Sequence, residues 1–213
     1  MLRTACAHLS WLLSRGYASS GALKLVGDRF ALDRRQRQAV ERCAVPEAAQ
    51  VQRRQRAVGP EAVAERAVAI DGFNCLIVGE AALAGAPVFR GRDGAHRDIQ
   101  GVHGTWRRVA ETEAVLDALA FTLAAAASVT WVLDRPVSNS GRLSARIRDL
   151  ASDRDLPWAV QLEDRADPAL VEHGQTAIVA TGDGWILDRV AEWIDLPAVV
   201  LASRGGWVLD LAG

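Results

Sequence analysis

A short apolar run that ends in an acidic residue occurs three times along the chain, and it restricts the fold more than any other feature of the sequence. The first run is Val68-Ala-Ile-Asp-Gly-Phe-Asn74, the second is Val129-Thr-Trp-Val-Leu-Asp134, and the third is Thr176-Ala-Ile-Val-Ala-Thr-Gly-Asp183. Each run is typical of a buried strand, and helical segments separate them. The sequence therefore predicts an α/β fold with an open, mainly parallel sheet in a three-layer arrangement.

The acidic residues that end these runs are expected to lie together. Parallel strands place their carboxyl ends at one edge of the sheet, where ligands of such sheets bind. Asp71, Asp134 and Asp183 would then repel one another unless a cation neutralises them. Mg²⁺ or Mn²⁺ is the expected cofactor, because both prefer oxygen ligands. Each aspartate also has a structural explanation, as a turn former or a helix N-cap.

The first third of the chain is predicted to be helical. Asp33 and Gln36 have the spacing of a capping box. We predict a small all-α module at 1–45, either helix-turn-helix-like or a cap on the body, then a linker of two solvated helical segments at 46–66. The α/β domain follows at 67–213. The partly apolar N-terminus is predicted to be an amphipathic helix, not a targeting segment.

The charge of the chain is nearly balanced but unevenly distributed. Residues 1–69 carry 12 Lys or Arg against 6 Asp or Glu, a net charge of +6, and the remainder carries −7. A basic front end is compatible with a nucleic-acid partner, although arginine-rich helices are often only solvated faces. The candidate nucleic-acid contacts are Arg34, Arg35, Arg37, Arg135 and Arg142.

Several further segments have a predicted role. We predict a helix at 105–127 whose contribution to the site is Glu111, Glu113 or Asp117, and a strand at 158–162. A helix carrying Trp185 and Trp193 follows, and strands at 198–201 and 207–209 form an edge hairpin around a Gly-Gly turn. The segment 75–83 fits either a strand or a helix, and the polar loop at 90–104 is either functional or a surface loop. Asp164 and Asp167 are reserve candidates for the site.

Composition and the absence of familiar motifs exclude several classes of protein. No apolar segment is long enough for a membrane span, so we expect a soluble protein. The three cysteines have no metal-site spacing and are odd in number, which favours a reducing cytoplasm. The chain contains no G-x-G-x-x-G or P-loop motif, no G-x-S-x-G and no H-E-x-x-H.

Two resemblances to known families bear on function. Ile70-Asp-Gly-Phe-Asn74 resembles the first strand of PIN-like nucleases, especially the NYN branch, and Asp134 and Asp183 follow in the order of that branch's later acidic positions. The whole chain is more closely similar to a prokaryotic group, the domain-of-unknown-function family 434, in its helical module at 9–44 and in the segment Leu133-Asp-Arg-Pro-Val-Ser-Asn-Ser-Gly141. The loop at 90–104 has no counterpart in a minimal PIN-like domain.

The PIN-like resemblance implies metal-assisted hydrolysis of phosphodiester bonds, with RNA favoured over DNA. Asp71, Asp134 and Asp183 would hold one or two ions, Asn74 would orient water or phosphate, and Asp188 would supply a further carboxylate. The alternatives are a nucleic-acid-binding protein without catalytic activity, and a phosphatase or nucleotide hydrolase. A homo-oligomer is compatible with the sequence.

Overall fold

A computed structural model gives the structure of the protein and describes residues 1–99, 106 and 109–212. The helices are α1 (Leu2–Leu13), α2 (Ser19–Arg29), α3 (Arg34–Cys43), α4 (Glu47–Arg56), α5 (Gly72–Leu83), α6 (Glu111–Thr122), α7 (Ser140–Asp153), α8 (Ala166–His173), α9 (Gly184–Leu187) and α10 (Leu196–Arg204). The strands are β1 (Ala57–Val58), β2 (Ala67–Asp71), β3 (Pro87–Arg90), β4 (His96–Arg97), β5 (Ser128–Asp134), β6 (Trp158–Glu163), β7 (Ile178–Ala180), β8 (Trp193–Ile194) and β9 (Trp207–Asp210). A 3₁₀ helix covers Pro60–Val63.

The main sheet has six strands in the order β1-β8-β7-β2-β5-β6, and every neighbouring pair is parallel. The prediction of an open α/β fold is therefore confirmed. The three strands of the repeated pattern, β7, β2 and β5, are neighbours at the centre of the sheet. Their apolar residues are fully buried because both faces are covered, as in other parallel sheets.

The strand β2 passes directly into α5, and glycine makes this close connection possible. Asp71 ends the strand and is also the N-cap of the helix. A Cβ atom on Gly72 would lie 2.4 Å from Leu133 Cδ2 and 3.2 Å from the Val132 carbonyl oxygen, both in β5. The Asp-Gly pair thus begins a helix against the neighbouring strand, and the segment 75–83 is helical.

The N-terminal helices α1, α2 and α3 pack around a small apolar core of their own, which includes Leu9, Val26 and Val40. The predicted capping box of α3 is present, with Asp33 and Gln36 in reciprocal hydrogen bonds. The segment 46–66 is only partly helical, because β1 pairs with β8 as the edge strand of the main sheet. The domain boundaries remain a prediction.

Other predicted elements differ from the structure near the C-terminus. The segment 198–201 belongs to α10, since Asp195 caps this helix through the Ala198 N–H and Pro197 occupies its first turn. There is no edge hairpin, because β9 pairs in parallel with β3 in a second sheet of order β4-β3-β9. Trp193 lies in β8 and not in a helix.

The helix predicted at 105–127 is shorter in the structure, where α6 begins at Glu111 and ends at Thr122. The residues before it are partly outside the described chain, as is the end of the predicted loop at 90–104. The described part of that loop contains β4 and is partly buried, so it is not a simple surface loop. Among the helices that the structure describes, none is long and apolar enough to cross a membrane.

Candidate active site at the strand ends

An open cleft of about 940 Å³ lies at the carboxyl ends of the central strands. The five residues predicted as catalytic all line it, and they are Asp71, Asn74, Asp134, Asp183 and Asp188. The register explains why: Ile70 pairs with Ala180, and Asp71 pairs with Val132, so the three strands end at nearly the same level. Parallel topology thus brings distant aspartates to one edge of the sheet.

Asp71 is the most deeply buried of the aspartates at the strand ends. Its Oδ2 accepts a hydrogen bond of 2.7 Å from the Thr181 hydroxyl, and its Oδ1 accepts a long one of 3.4 Å from the Asn74 backbone N–H. The pKa of Asp71 is raised to about 7, mainly by burial and also by the carboxylates of Asp183 and Asp167, against the opposing effect of the two hydrogen bonds. Asp71 is therefore close to half-protonated at neutral pH.

The loop between β7 and α9 is held in place by side chains of the same edge. The Thr181 hydroxyl accepts a hydrogen bond of 3.0 Å from the Asp183 N–H, and Asn74 Oδ1 accepts one of 2.8 Å from the Gly182 N–H. Asp183 caps α9 by accepting hydrogen bonds from two backbone N–H groups, at 2.7 and 3.3 Å. Asp183 is thus a helix cap and a cleft residue at once.

Two further carboxylates face the cleft from the side of β5. Asp134 Oδ1 accepts a hydrogen bond of 3.2 Å from the Ala166 N–H at the start of α8. Asp167, in the first turn of α8, has a raised pKa because it is partly buried and lies near Asp183 and Asp134. A smaller cavity of about 440 Å³ is lined by Asp134 and Asp167 together with Asp164. The reserve candidate Asp167 is therefore part of the acidic edge.

The three acidic candidates of α6 do not line the cleft. Glu113 contacts Arg146 of α7, and Asp117 contacts Arg154 at the end of the same helix. These pairs connect the outer surfaces of α6 and α7. The further carboxylate of the cleft comes from α8 instead, as Asp167. Helical spacing alone could not reveal this, because it does not say on which side of the sheet a helix packs.

Two arginines hold the same loop through contacts that the sequence does not predict. Arg97 donates from Nε to the Gly182 carbonyl oxygen at 2.8 Å, and its two terminal nitrogens donate to Asp93 at 2.8 and 2.7 Å. Arg53 of α4 donates to Asp93 at 2.8 Å and to the Gly184 carbonyl oxygen at 2.9 Å. We call Arg53, Asp93 and Arg97 the arginine clamp.

The clamp is a buried, charged unit. Asp93 loses solvation on burial, but Arg97 and Arg53 more than compensate, so that its pKa is lowered to about 2. Arg53 also donates from Nε to Asp188 Oδ1 at 2.7 Å. Asp188 therefore lines the cleft as an ion-pair partner of Arg53, which restricts its carboxylate to that side.

The predicted nucleic-acid contacts lie outside the lining of the cleft. Arg37 is paired with Asp28 at 2.8 Å and joins α3 to α2, while Arg135 is paired with Asp164 at 2.9 Å. The remaining three, Arg34, Arg35 and Arg142, are exposed. The arginine that α3 contributes to the cleft is Arg42, which bonds the Asp98 carbonyl oxygen.

The acidic edge does not contain a complete set of metal ligands by itself. In residues 1–99, 106 and 109–212, no group of three or more acidic, histidine or cysteine side chains is arranged to hold a metal ion. Asp71, Asp134 and Asp183 each accept a hydrogen bond from a backbone N–H, which uses part of their acceptor capacity. An ion at this edge would need ligands beyond these side chains.

Comparisons with known proteins give family matches over most of the chain. The family described as "Domain of unknown function (DUF5616)" matches residues 60–199, and the family described as "Protein of unknown function (DUF434)" matches residues 1–56. The likeness to family 434 is thus limited to the N-terminal helices, and the α/β body matches the other family. No curated protein matches the chain. No solved structure matches it either.

Proposed function

The chain belongs to the DUF5616 family, and we propose that it is a metal-dependent hydrolase of phosphodiester bonds with RNA as the favoured substrate. The observation that carries the proposal is the convergence of Asp71, Asp134, Asp167 and Asp183 on one cleft at the carboxyl edge of a parallel sheet. Such edges are the usual ligand sites of open α/β folds. The resemblance of Ile70–Asn74 to the first strand of PIN-like nucleases supports the same reaction.

The donor set fits a hard divalent cation. All four side chains offer carboxylate oxygens, and their mutual repulsion contributes to the raised pKa of Asp71 and Asp167. Mg²⁺ commonly uses one or two protein carboxylates and completes its shell with water and substrate phosphates. A site without three protein ligands is therefore compatible with Mg²⁺ or Mn²⁺, held by Asp71 and Asp183 with Asp134 nearby.

The remaining residues have defined tasks in this proposal. A bound ion would lower the pKa of a water molecule and neutralise charge on the phosphate that is attacked. Thr181 orients the Asp71 carboxylate, and Asn74 holds the backbone that carries Asp183. Asp188 keeps Arg53 in the clamp. Arg42 lies in the cleft lining, 3.7 Å from the Asp98 carboxylate, and its remaining N–H donors can bond a substrate phosphate.

The cysteines bear on where this reaction would take place. Cys6, Cys43 and Cys75 are buried free thiols, and we propose a cytoplasmic location on that ground, since disulfides are rare there.

The proposal is tested by incubating the purified protein with labelled single-stranded and structured RNA in Mg²⁺, Mn²⁺ or EDTA. We expect RNA cleavage that requires metal and that falls by about 100-fold or more in Asp71→Asn and Asp134→Asn. Loss of a residue that only hydrogen-bonds a metal ligand already costs about 10–100-fold, so loss of a ligand itself should cost at least as much. Asp117→Asn is the matched control, since Asp117 is a partly exposed aspartate outside the cleft.

Other results would support the alternatives. Salt-sensitive binding without cutting by the wild type would favour a nucleic-acid-binding protein. Metal-dependent hydrolysis of small phosphate esters or nucleotides, with RNA left intact, would favour a phosphatase or nucleotide hydrolase. Either result would contradict the proposed reaction.

A further inference from the structure

A large aromatic side chain lies exposed at the acidic cleft and has no role in the proposed hydrolysis. Trp185 is 43% exposed, although most of the large apolar side chains are buried. It lines the main cleft together with Asp71 and Asp183, and it also lines the smaller cavity with Asp134 and Asp167. Trp185 therefore belongs to the lining of both cavities, which the carboxylates of the acidic edge also line.

The indole ring is fixed in position and supported on one face. The backbone N–H of Trp185 donates to Asp183 Oδ1 at 2.7 Å, so the N-cap of α9 positions the backbone of this residue. The guanidinium carbon of Arg189 lies 4.0 Å from the ring centroid, and Arg189 Nη1 donates to the Trp185 carbonyl oxygen at 2.8 Å. Such a cation–π contact favours this position of the ring.

A second tryptophan has the same arrangement, with an arginine four residues later stacked on its ring. This second pair serves as a comparison, because it lies away from the acidic cleft. Trp11 is 48% exposed, and Arg15, four residues later, stacks on it at 3.6 Å and bonds its carbonyl oxygen. Trp11 lines an apolar cavity of the N-terminal helices that contains none of the aspartates of the acidic edge. The Trp–Arg pair thus occurs twice in the described chain, and of these two pairs it is the one with Trp185 that lines the acidic cleft.

An exposed, flat ring beside clustered carboxylates suits an uncharged planar group better than a charged one. A nucleobase is planar and neutral, and it can stack on indole without adding negative charge to the edge. The phosphates next to that base need a cation, and Arg189 can supply it, because no carboxylate pairs with it in the part of the chain that the structure describes. A base inside a duplex could not reach the ring without leaving its stack.

We propose that Trp185 is the stacking platform for one unpaired base of a single-stranded nucleic acid, supported by Arg189 and placed beside the acidic edge. The inference rests on the proposed function, because it names the substrate class of that site: single-stranded chains and loops, not continuous duplex. Base stacking on an aromatic side chain contributes about 5- to 150-fold in affinity per base, and it tolerates different bases.

The test measures binding, so that it does not depend on cutting. Short labelled single-stranded RNAs, each with one abasic position, are titrated with wild type, Trp185→Ala, Trp185→Phe and Trp11→Ala by fluorescence anisotropy. The titrations are run in EDTA and again in Ca²⁺, and circular dichroism checks the fold of each variant. A duplex of the same sequence is titrated in parallel.

We expect wild type to lose about 5- to 150-fold in affinity when one particular base is removed. Trp185→Ala should bind the intact RNA equally weakly and should be indifferent to that abasic position. Trp185→Phe should keep most of the base dependence, and Trp11→Ala should keep all of it. The duplex should bind more weakly than the single strand.

Four results would overturn the platform: no binding by wild type in either condition, no effect of Trp185→Ala, an abasic effect that persists in Trp185→Ala, or base dependence lost only in Trp11→Ala. These results are separable from those of the cleavage assay. Base-dependent binding without cutting would remove the hydrolase and leave the platform. Cutting without any role of Trp185 in base dependence would do the reverse.

Discussion

At the scale of single residues, Asp71 combines a structural role with an environment that is unfavourable for a charged carboxylate. It ends a buried strand, caps α5 and accepts a hydrogen bond from Thr181, yet burial and its acidic neighbours raise its pKa to about 7. A structural cap would be better served by a neutral side chain here. Ionising Asp71 therefore costs stability, and such costs are common at functional sites.

The first prediction follows from that pKa. Because the folded-state pKa of Asp71 is about 7 and the ordinary value is 3.8, folded wild type retains a proton between these pH values that the unfolded chain releases. Wild type therefore loses stability as pH rises from about 4 to about 7, whereas Asn at this position does not titrate.

Asp71→Asn should consequently gain stability relative to wild type over this window, by about 2–4 kcal/mol in total. The measurement is urea unfolding in EDTA at pH values from 5 to 8, roughly the upper part of the window. A difference between the two proteins that stays constant with pH would show that Asp71 does not titrate as described.

At the scale of elements, the β2–α5 connection determines where the acidic edge lies. The helix begins at the residue after the strand ends, and Gly72 allows its first turn to pack on β5. Because Asp71 belongs to both elements, the position of its carboxylate depends on this junction. The Asp-Gly pair of the sequence motif is therefore explained by packing as well as by the chemistry of Asp71.

We predict that Gly72→Ala destabilises the protein, since its Cβ would lie 2.4 Å from Leu133 Cδ2. The expected loss is about 1–3 kcal/mol, the usual result of overpacking a core. Gly141→Ala in α7 is the matched control, because nothing lies within 4 Å of its Cβ position. It should stabilise the protein by about 0.5–1 kcal/mol. Thermal unfolding of both variants is sufficient, and equal effects of the two would contradict the account.

At the scale of the whole molecule, the arginine clamp links α4 to the acidic edge. Arg53 belongs to α4, Arg97 lies in β4, and Asp93 lies just before that strand and accepts from both arginines. The arginines also donate to the carbonyl oxygens of Gly184 and Gly182, respectively. The loop that carries Asp183 is therefore held by distant parts of the chain. The helix α4 is joined to the site in this way.

Arg53→Gln should destabilise the protein by about 3 kcal/mol, because it leaves buried Asp93 with a single cationic partner. Arg154→Gln, which breaks an exposed pair with Asp117, should cost less than about 1 kcal/mol. The free energies of unfolding of the two variants, measured by denaturant titration, compare the loss of a buried arginine with the loss of an exposed one. Similar small losses in both would show that the clamp contributes little to stability.

Local sequence patterns predicted the parallel strands and the aspartates at their ends, because hydrophobic runs and chain topology determine both. They could not predict Arg53 and Arg97, since these residues act through carbonyl oxygens far away in sequence. The apolar run at 198–201 predicts a strand where the structure has a helix, because a short buried helix and a short buried strand share the same apolar composition. The sequence predicts a helix around Trp185 but not the exposure of its ring, which depends on the tertiary structure.

The most direct test of the central claim is isothermal titration of the purified protein with Mn²⁺. We predict that wild type binds one or two ions, that Asp71→Asn and Asp183→Asn lose this binding, and that Asp117→Asn retains it. Absence of binding to wild type, or binding that survives both substitutions at the strand ends, would show that the acidic edge is not a divalent-cation site.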